Sequence, residues 1–119
     1  MVYMMEKIKA ILPSLREKKR YLVYEVIATK KFEADEIEKS IKKAYLSSFG
    51  NINAAKAGII FLNKNFDKEK QRGIIKVSNK CLENLRYSLA LAKRIKNSKV
   101  IIRSVGCSGI LNKTKKYLN

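Results

Sequence analysis

Residues Arg20–Ala28 constrain this chain more than any other stretch. Read as a strand, they place Tyr21, Val23, Glu25 and Ile27 on one face and Leu22, Tyr24, Val26 and Ala28 on the other. Both faces are largely apolar, whereas a strand at a solvated surface alternates apolar with polar residues. A strand of this kind belongs in the middle of a sheet, and the rest of the chain has to cover it.

The covering elements follow in a regular order. Asp35–Ser48 reads as a helix, with Asp35 placed to cap it and Glu38 at the reciprocal position of a capping box. Ile37, Ile41, Ala44 and Tyr45 form its apolar stripe, and Gly50, Asn51 and Asn53 close it. Ala54–Leu62 reads as a second strand, and Arg72–Ser78 as its hairpin partner across the polar turn Asn63–Gln71. Asn79–Asn97 reads as the longest helix, buried along Leu82, Leu85, Leu89 and Ala92, with Cys81, Leu91 and Ile95 widening the stripe. Lys99–Val105 is the fourth strand, β-branched at Val100, Ile101 and Ile102. Gly106 and Gly109 then bracket Cys107 and Ser108 in a sharp exit whose torsions other residues avoid. Leu111–Leu118 supplies a last helical turn. The order β-α-β-β-α-β defines an α+β, ferredoxin-like plan, a four-stranded antiparallel sheet with two helices on one face. One domain spans 1–119, as an arm (1–19), a core (20–109) and a basic tail (110–119). In the arm, Ile8, Ile11 and Leu12 stand at helical spacing until Pro13 ends the segment.

Charge narrows what such a domain does. The chain carries 27 Lys+Arg against 10 Asp+Glu, a formal +17, which repels itself in a compact monomer and calls for an anionic partner. Nucleic acid is the first candidate and an anionic membrane surface the second. Lys outnumbers Arg, 21 to 6, which favours diffuse attraction to phosphates over forked reading of bases. No run approaches the roughly 20 apolar residues of a membrane span, and the N-terminus runs from apolar to basic, the reverse of a secretory signal. Cys81 and Cys107 are the only cysteines, are not in CxxC spacing and have no histidine to join them, so they read as reduced thiols of a cytoplasmic protein and no metal site is expected.

The RNA-recognition motif shares this plan and stacks bases on aromatics of its third strand. Here that strand opens Arg72-Gly73 but continues with isoleucine, and Tyr21 and Tyr24 face opposite ways, so at most one of them stacks. The open sheet face is expected to be apolar, drawing on Val23, Ile27, Ile59, Phe61 and Ile102, and covered by the terminal segments or by another protein. No catalytic residue is expected. Without histidine, acid–base chemistry falls to the carboxylates, and Glu25, the one acid inside an apolar strand, reads as a partner for Arg or Lys on a neighbouring strand. Cations fall into four places: Arg16, Lys18, Lys19 and Arg20; Lys68, Lys70 and Arg72; Arg86, Lys93 and Arg94; and Arg103, Lys113, Lys115 and Lys116. If the first and fourth strands flank opposite sides of the sheet, these do not form one stripe.

LPSLREKKRYLVYEVIA, KAGIIFLNKN, RGIIKVSNKCLENLRYSLALAKRI and KVIIRSVGCSGILNKTKK together resemble the family of archaeal ribonuclease P protein component 2, counterpart of a small protein subunit of eukaryotic ribonuclease P. The similarity runs from about Leu12 to Lys116. Leu15, Arg16, Lys19, Arg20 and Tyr21, then Arg103, Gly106, Ser108 and Gly109, fall where the family pattern has such residues; Cys107 replaces a small aliphatic. Arg72 and Gly73 fit its third strand. The resemblance implies a subunit of the endoribonuclease that removes the 5′ leader of precursor tRNA, in which the RNA subunit and its bound magnesium perform the hydrolysis. It implies pairing with ribonuclease P protein component 3, a barrel-type protein, and contact with precursor tRNA only through the complex. Self-association stays open, and a free-standing or ribosome-associated RNA-binding protein is the alternative. The expected RNA contacts are Arg16, Lys18, Lys19, Arg20, Arg72, Lys76, Arg103, Lys113, Lys115 and Lys116, with Gly73, Gly106, Ser108 and Gly109 as turn positions.

Overall fold

In the computed structural model, which describes residues 18–118, the apolar strand β1 (Lys19–Ile27) is central. The arm ahead of it, with Pro13, Leu15 and the expected contact Arg16, lies outside the described residues. β1 pairs antiparallel with β3 (Arg72–Ser78) on one edge and with β6 (Ile101–Ser108) on the other. β2 (Ile60–Phe61) adds to the far side of β3, giving the order β2-β3-β1-β6 of a ferredoxin-like sheet. Two helices, α1 (Ala34–Ala57) and α2 (Leu82–Leu91), pack on one face. Leu22, Tyr24 and Val26 meet Ile37, Ile41, Tyr45, Leu85 and Leu89 there in the main core.

The boundaries differ from expectation in four places. α1 starts at Ala34, so Asp35 sits in its first turn beside Glu36 instead of capping it. Glu38 turns outward to Lys42 Nζ (2.7 Å) and Asn63 Nδ2 (3.0 Å), so no capping box forms. Gly50 does break α1, but the chain resumes as helix through Ala54–Ala57, and Gly58 ends it in the left-handed region (φ 59°, ψ 43°). Alanine and lysine are strong helix formers, and they shorten the expected second strand to two residues. The second helix likewise stops at Leu91. A small hairpin, β4 (Arg94–Ile95) and β5 (Ser98–Lys99), follows on a two-residue turn with positive φ at Lys96 and Asn97. Ile95 reaches the core from this hairpin, which is why its spacing imitated a helix.

The fourth difference is at the glycines. β6 starts at Ile101 and runs on to Ser108, so Gly106 lies inside the strand, and neither Gly106 nor Gly109 has positive φ. Gly73 and Gly106 provide space, not torsion. Gly73 lies directly opposite Tyr24, whose ring crosses it on the helical side to reach Phe61, and Gly106 lies opposite Val23 with the ring of Tyr117 over it on the other side. At the exit, Ser108 Oγ accepts a hydrogen bond from the Ile110 amide (3.1 Å). The chain then enters α3 (Leu111–Thr114) and a 3-10 turn, Lys115–Leu118.

Candidate nucleic-acid interface

The sheet face away from α1 and α2 is organised by β1 register. Lys19 and Ser78 begin it; Tyr21, Lys76 and Ser108 form the next row; then Val23, Ile74 and Gly106; then Glu25, Arg72 and Arg103; and Ile27 with Ile101 ends it. The rows on β6 depend on a bulge between Val23 and Tyr24, where Val105 is the extra residue. Without it, strict alternation puts Arg103 and Gly106 on opposite faces. This face is less apolar than expected: Ile102 belongs to the helical core, and Ile59 and Phe61 pack against that core too.

The C-terminal segment covers the middle of the face. Val23 and Ile74 are fully buried although they stand outside the main core. Tyr117 lies over Gly106, and Arg72 Nη1 donates to the Tyr117 carbonyl (2.7 Å). Thr114 is buried, its hydroxyl donating to the Leu111 carbonyl (2.6 Å). Gly106→Ala puts a Cβ 2.6 Å from the Tyr117 ring, which has to lift because its neighbour is backbone. We expect about 1 kcal/mol lost and faster trimming of the C-terminus in limited proteolysis; an unchanged cleavage pattern would mean the ring does not hold the segment.

Glu25 sits between the two arginines of its row. Arg72 Nε donates to Oε2 (2.8 Å), and Arg103 Nε donates to Oε1 (2.8 Å), with Arg103 Nη2 at ion-pair distance (2.7 Å) from the same oxygen. Burial alone pushes the Glu25 carboxyl up, but hydrogen bonds from Arg72 and Arg103 and their charges outweigh it and hold it below the usual range. The expectation that Glu25 serves cations on neighbouring strands is met. The first and last strands are hydrogen-bonded neighbours, not opposite flanks, so Arg72 and Arg103 converge instead of separating.

The other expected contacts fall around this row. Lys76 is half-buried beside Tyr21. Lys113 and Lys116 line a cleft of about 440 Å³ with Cys107, Ser108 and Tyr117, and Lys115 is exposed on the same segment. Lys18 and Lys19 stand at the start of β1. Arg20 belongs to the helical side, where its Nε donates to Asn79 Oδ1 (3.0 Å) and its guanidinium approaches Gly109. Tyr24 is buried in the core, leaving Tyr21 as the β1 tyrosine on the open face. Among the described residues, no three or more carboxylate or cysteine ligands converge to hold a metal ion. Missed from sequence was the fate of Lys93 and Arg94: the hairpin takes them away from Arg86, which pairs with Glu83 on α2.

These features define a ferredoxin-like scaffold whose open face is closed by its own C-terminus and dressed with cations. The family model of the Rpp14/Pop5 family matches residues 20–119. The chain is 40% identical to ribonuclease P protein component 2 of Thermococcus kodakarensis and 41% identical to that of Thermococcus gammatolerans, over 95% of this chain and 92% of each relative. It is 30% identical to the Methanocaldococcus jannaschii protein of the same name, over 94% of this chain and 81% of that one. A chain in the cryo-EM structure of yeast ribonuclease MRP superposes with a TM-score of 0.63 at 12% identity, covering 87% of each chain, which supports the fold. The chain belongs to the Rpp14/Pop5 family.

Proposed function

We propose that this chain is a protein subunit of ribonuclease P, the ribonucleoprotein endoribonuclease that removes the 5′ leader of precursor tRNA. Its similarity over nearly full length to archaeal proteins of that name carries the reading. The chemistry of the surface agrees with it: a +17 chain that presents cations instead of stacking aromatics suits the backbone of a folded RNA.

The mechanism we infer is electrostatic scaffolding. Lys76, Arg103, Lys113, Lys115 and Lys116 on the sheet side neutralise phosphates where RNA helices crowd together, and the counterions they release drive association. Magnesium enters through the RNA, which holds the ions that perform hydrolysis. Component 3 is the proposed protein partner; the exposed Ile27 and Ile101 at the end of the open face offer it apolar surface.

The test is precursor-tRNA cleavage by a reconstituted archaeal ribonuclease P RNA across a magnesium series, adding this protein with and without component 3. Adding the pair is expected to lower the magnesium needed for half-maximal cleavage several-fold. An unchanged magnesium requirement, with tight RNA binding by the protein alone, points to a free-standing RNA-binding protein.

A further inference from the structure

The helical side carries a second cationic surface, assembled from positions about 50 residues apart. Lys43 of α1 faces Lys93 and Arg94, where α2 hands over to the hairpin, and two adjoining clefts share Ser40, Lys43 and Arg94. One measures about 340 Å³ and reaches Lys39 and Lys96 together with the carboxylates Asp35 and Glu36; the other measures about 460 Å³, holds no carboxylate, and is lined by Ala44, Ser47, Ser48, Leu91 and Ala92.

The hairpin is held firmly. Ile95 is buried, Ser40 Oγ donates to the Arg94 carbonyl (2.9 Å), the Val100 amide donates to the Lys93 carbonyl (2.9 Å), and Lys96 pairs with Glu36 (2.9 Å). Lys31, Lys42, Lys68, Arg72, Arg86 and Arg103 all have carboxylate partners, whereas among the described residues Lys39, Lys43, Lys93 and Arg94 have none within ion-pair distance.

We propose that Lys43, Lys93 and Arg94, with Ser47 and Ser48, form a second RNA-backbone site on the helical side, so that one molecule bridges two RNA segments. Cations held on a rigid frame beside small hydroxyl donors match phosphodiester oxygens. Leu91 is the one large apolar side chain in the lining of the larger cleft, and no aromatic stands there to stack a base. The proposal rests on the ribonuclease P reading, because bridging is useful where RNA helices are crowded.

Binding of the full-length protein to an archaeal ribonuclease P RNA transcript tests it, as log Kd against log salt with hydroxyl-radical footprinting. Compared are the wild type, a helical-side variant (K43Q/K93Q/R94Q), a sheet-side variant (K76Q/K113Q/K116Q) and a charge-matched control (K56Q/K64Q/K80Q). Thermal melts establish that each is folded. Each of the first two variants is expected to weaken binding at least about tenfold near 0.15 M salt and to flatten the salt slope by about 2 to 3. Each should lose protection over a different RNA segment, with the control close to wild type. A helical-side variant that binds like wild type, a control that loses as much, or footprints lost over one shared segment overturns the second site and leaves the ribonuclease P reading standing. Failure of the wild type to bind the transcript overturns both.

Discussion

Gly73→Ala is expected to lower stability by about 3 kcal/mol, roughly a 10 °C fall in Tm for a domain of this length. A Cβ built on Gly73 meets Tyr24 Oη at 2.5 Å and Cζ at 2.6 Å. Tyr24 cannot swing aside easily. It is buried in the main core, and its ring meets Phe61 edge-on, with centroids 6.4 Å apart. Moving the ring therefore disturbs β1, β3 and β2 together. This exceeds the effect of Gly106→Ala, where the obstructing ring is Tyr117, 41% exposed and near the end of the chain. The double variant Gly73→Ala with Tyr24→Leu checks the cause. Leucine leaves room for the new methyl, so adding Gly73→Ala to Tyr24→Leu should cost about 1 kcal/mol or less. Equal costs in both backgrounds would place the glycine's role in the strand backbone and not beneath the ring.

The order of the elements was legible because each carries its own period, and β3 was legible to the residue, since Arg72–Ser78 is bounded by turn chemistry at one end and Asn79 at the other. Residues 51–53 were misread as the close of the helix because Asn51 and Asn53 follow Gly50, and 54–57 as strand because the alanines precede an apolar run; helix propensity carried the helix through both, and Gly58 ended it with its left-handed torsion. The hairpin at 94–99 was misread because Ile95 is apolar at the right spacing for a helix. Only the turn torsions at Lys96 and Asn97 distinguish the two.

The site was legible in part. An acid in an apolar strand announces an ion pair, and Glu25 has one. Which arginines serve it depends on the Val105 bulge, and a single extra residue leaves no mark in composition or period. The space under Tyr24 and Tyr117 belongs to the same class: glycine was visible, but whether it serves torsion or close approach is decided by a residue on another strand or far along the chain. Convergence of Lys43 with Lys93 and Arg94 is further still from the sequence, because the cations that matter are those left unpaired after folding.

Glu25→Gln should separate the two roles that the sheet-side arginines combine. Glu25 is 15% exposed and Arg72 22%, so their pair is well shielded; Arg103 is 57% exposed, and its share is discounted for solvent. An amide in place of the carboxylate leaves two guanidinium groups side by side without their counter-charge, and the expected cost is about 2 kcal/mol at pH 7. The sign of the pH dependence follows from the lowered carboxyl pKa. The folded protein holds the ionised form more tightly than the unfolded chain does, so this stabilisation is fully present above the unfolded value, near about 4.3. It is lost as pH falls through the lower folded value. The stability gap between wild type and Glu25→Gln should therefore be constant from about pH 7 to 6 and close as pH drops below about 4. Glu38, also held low by Lys42 and Asn63, titrates in both proteins and cancels in the difference. Denaturant titrations over that range measure the gap, and a gap that stays constant down to pH 3 would rule Glu25 out as its source. RNA binding should move the other way. The variant carries one more net positive charge and frees Arg72 and Arg103 for phosphate, so at low salt its affinity should hold or rise while stability falls. Parallel losses of stability and affinity would mean that the arginines bind RNA only in the geometry Glu25 imposes.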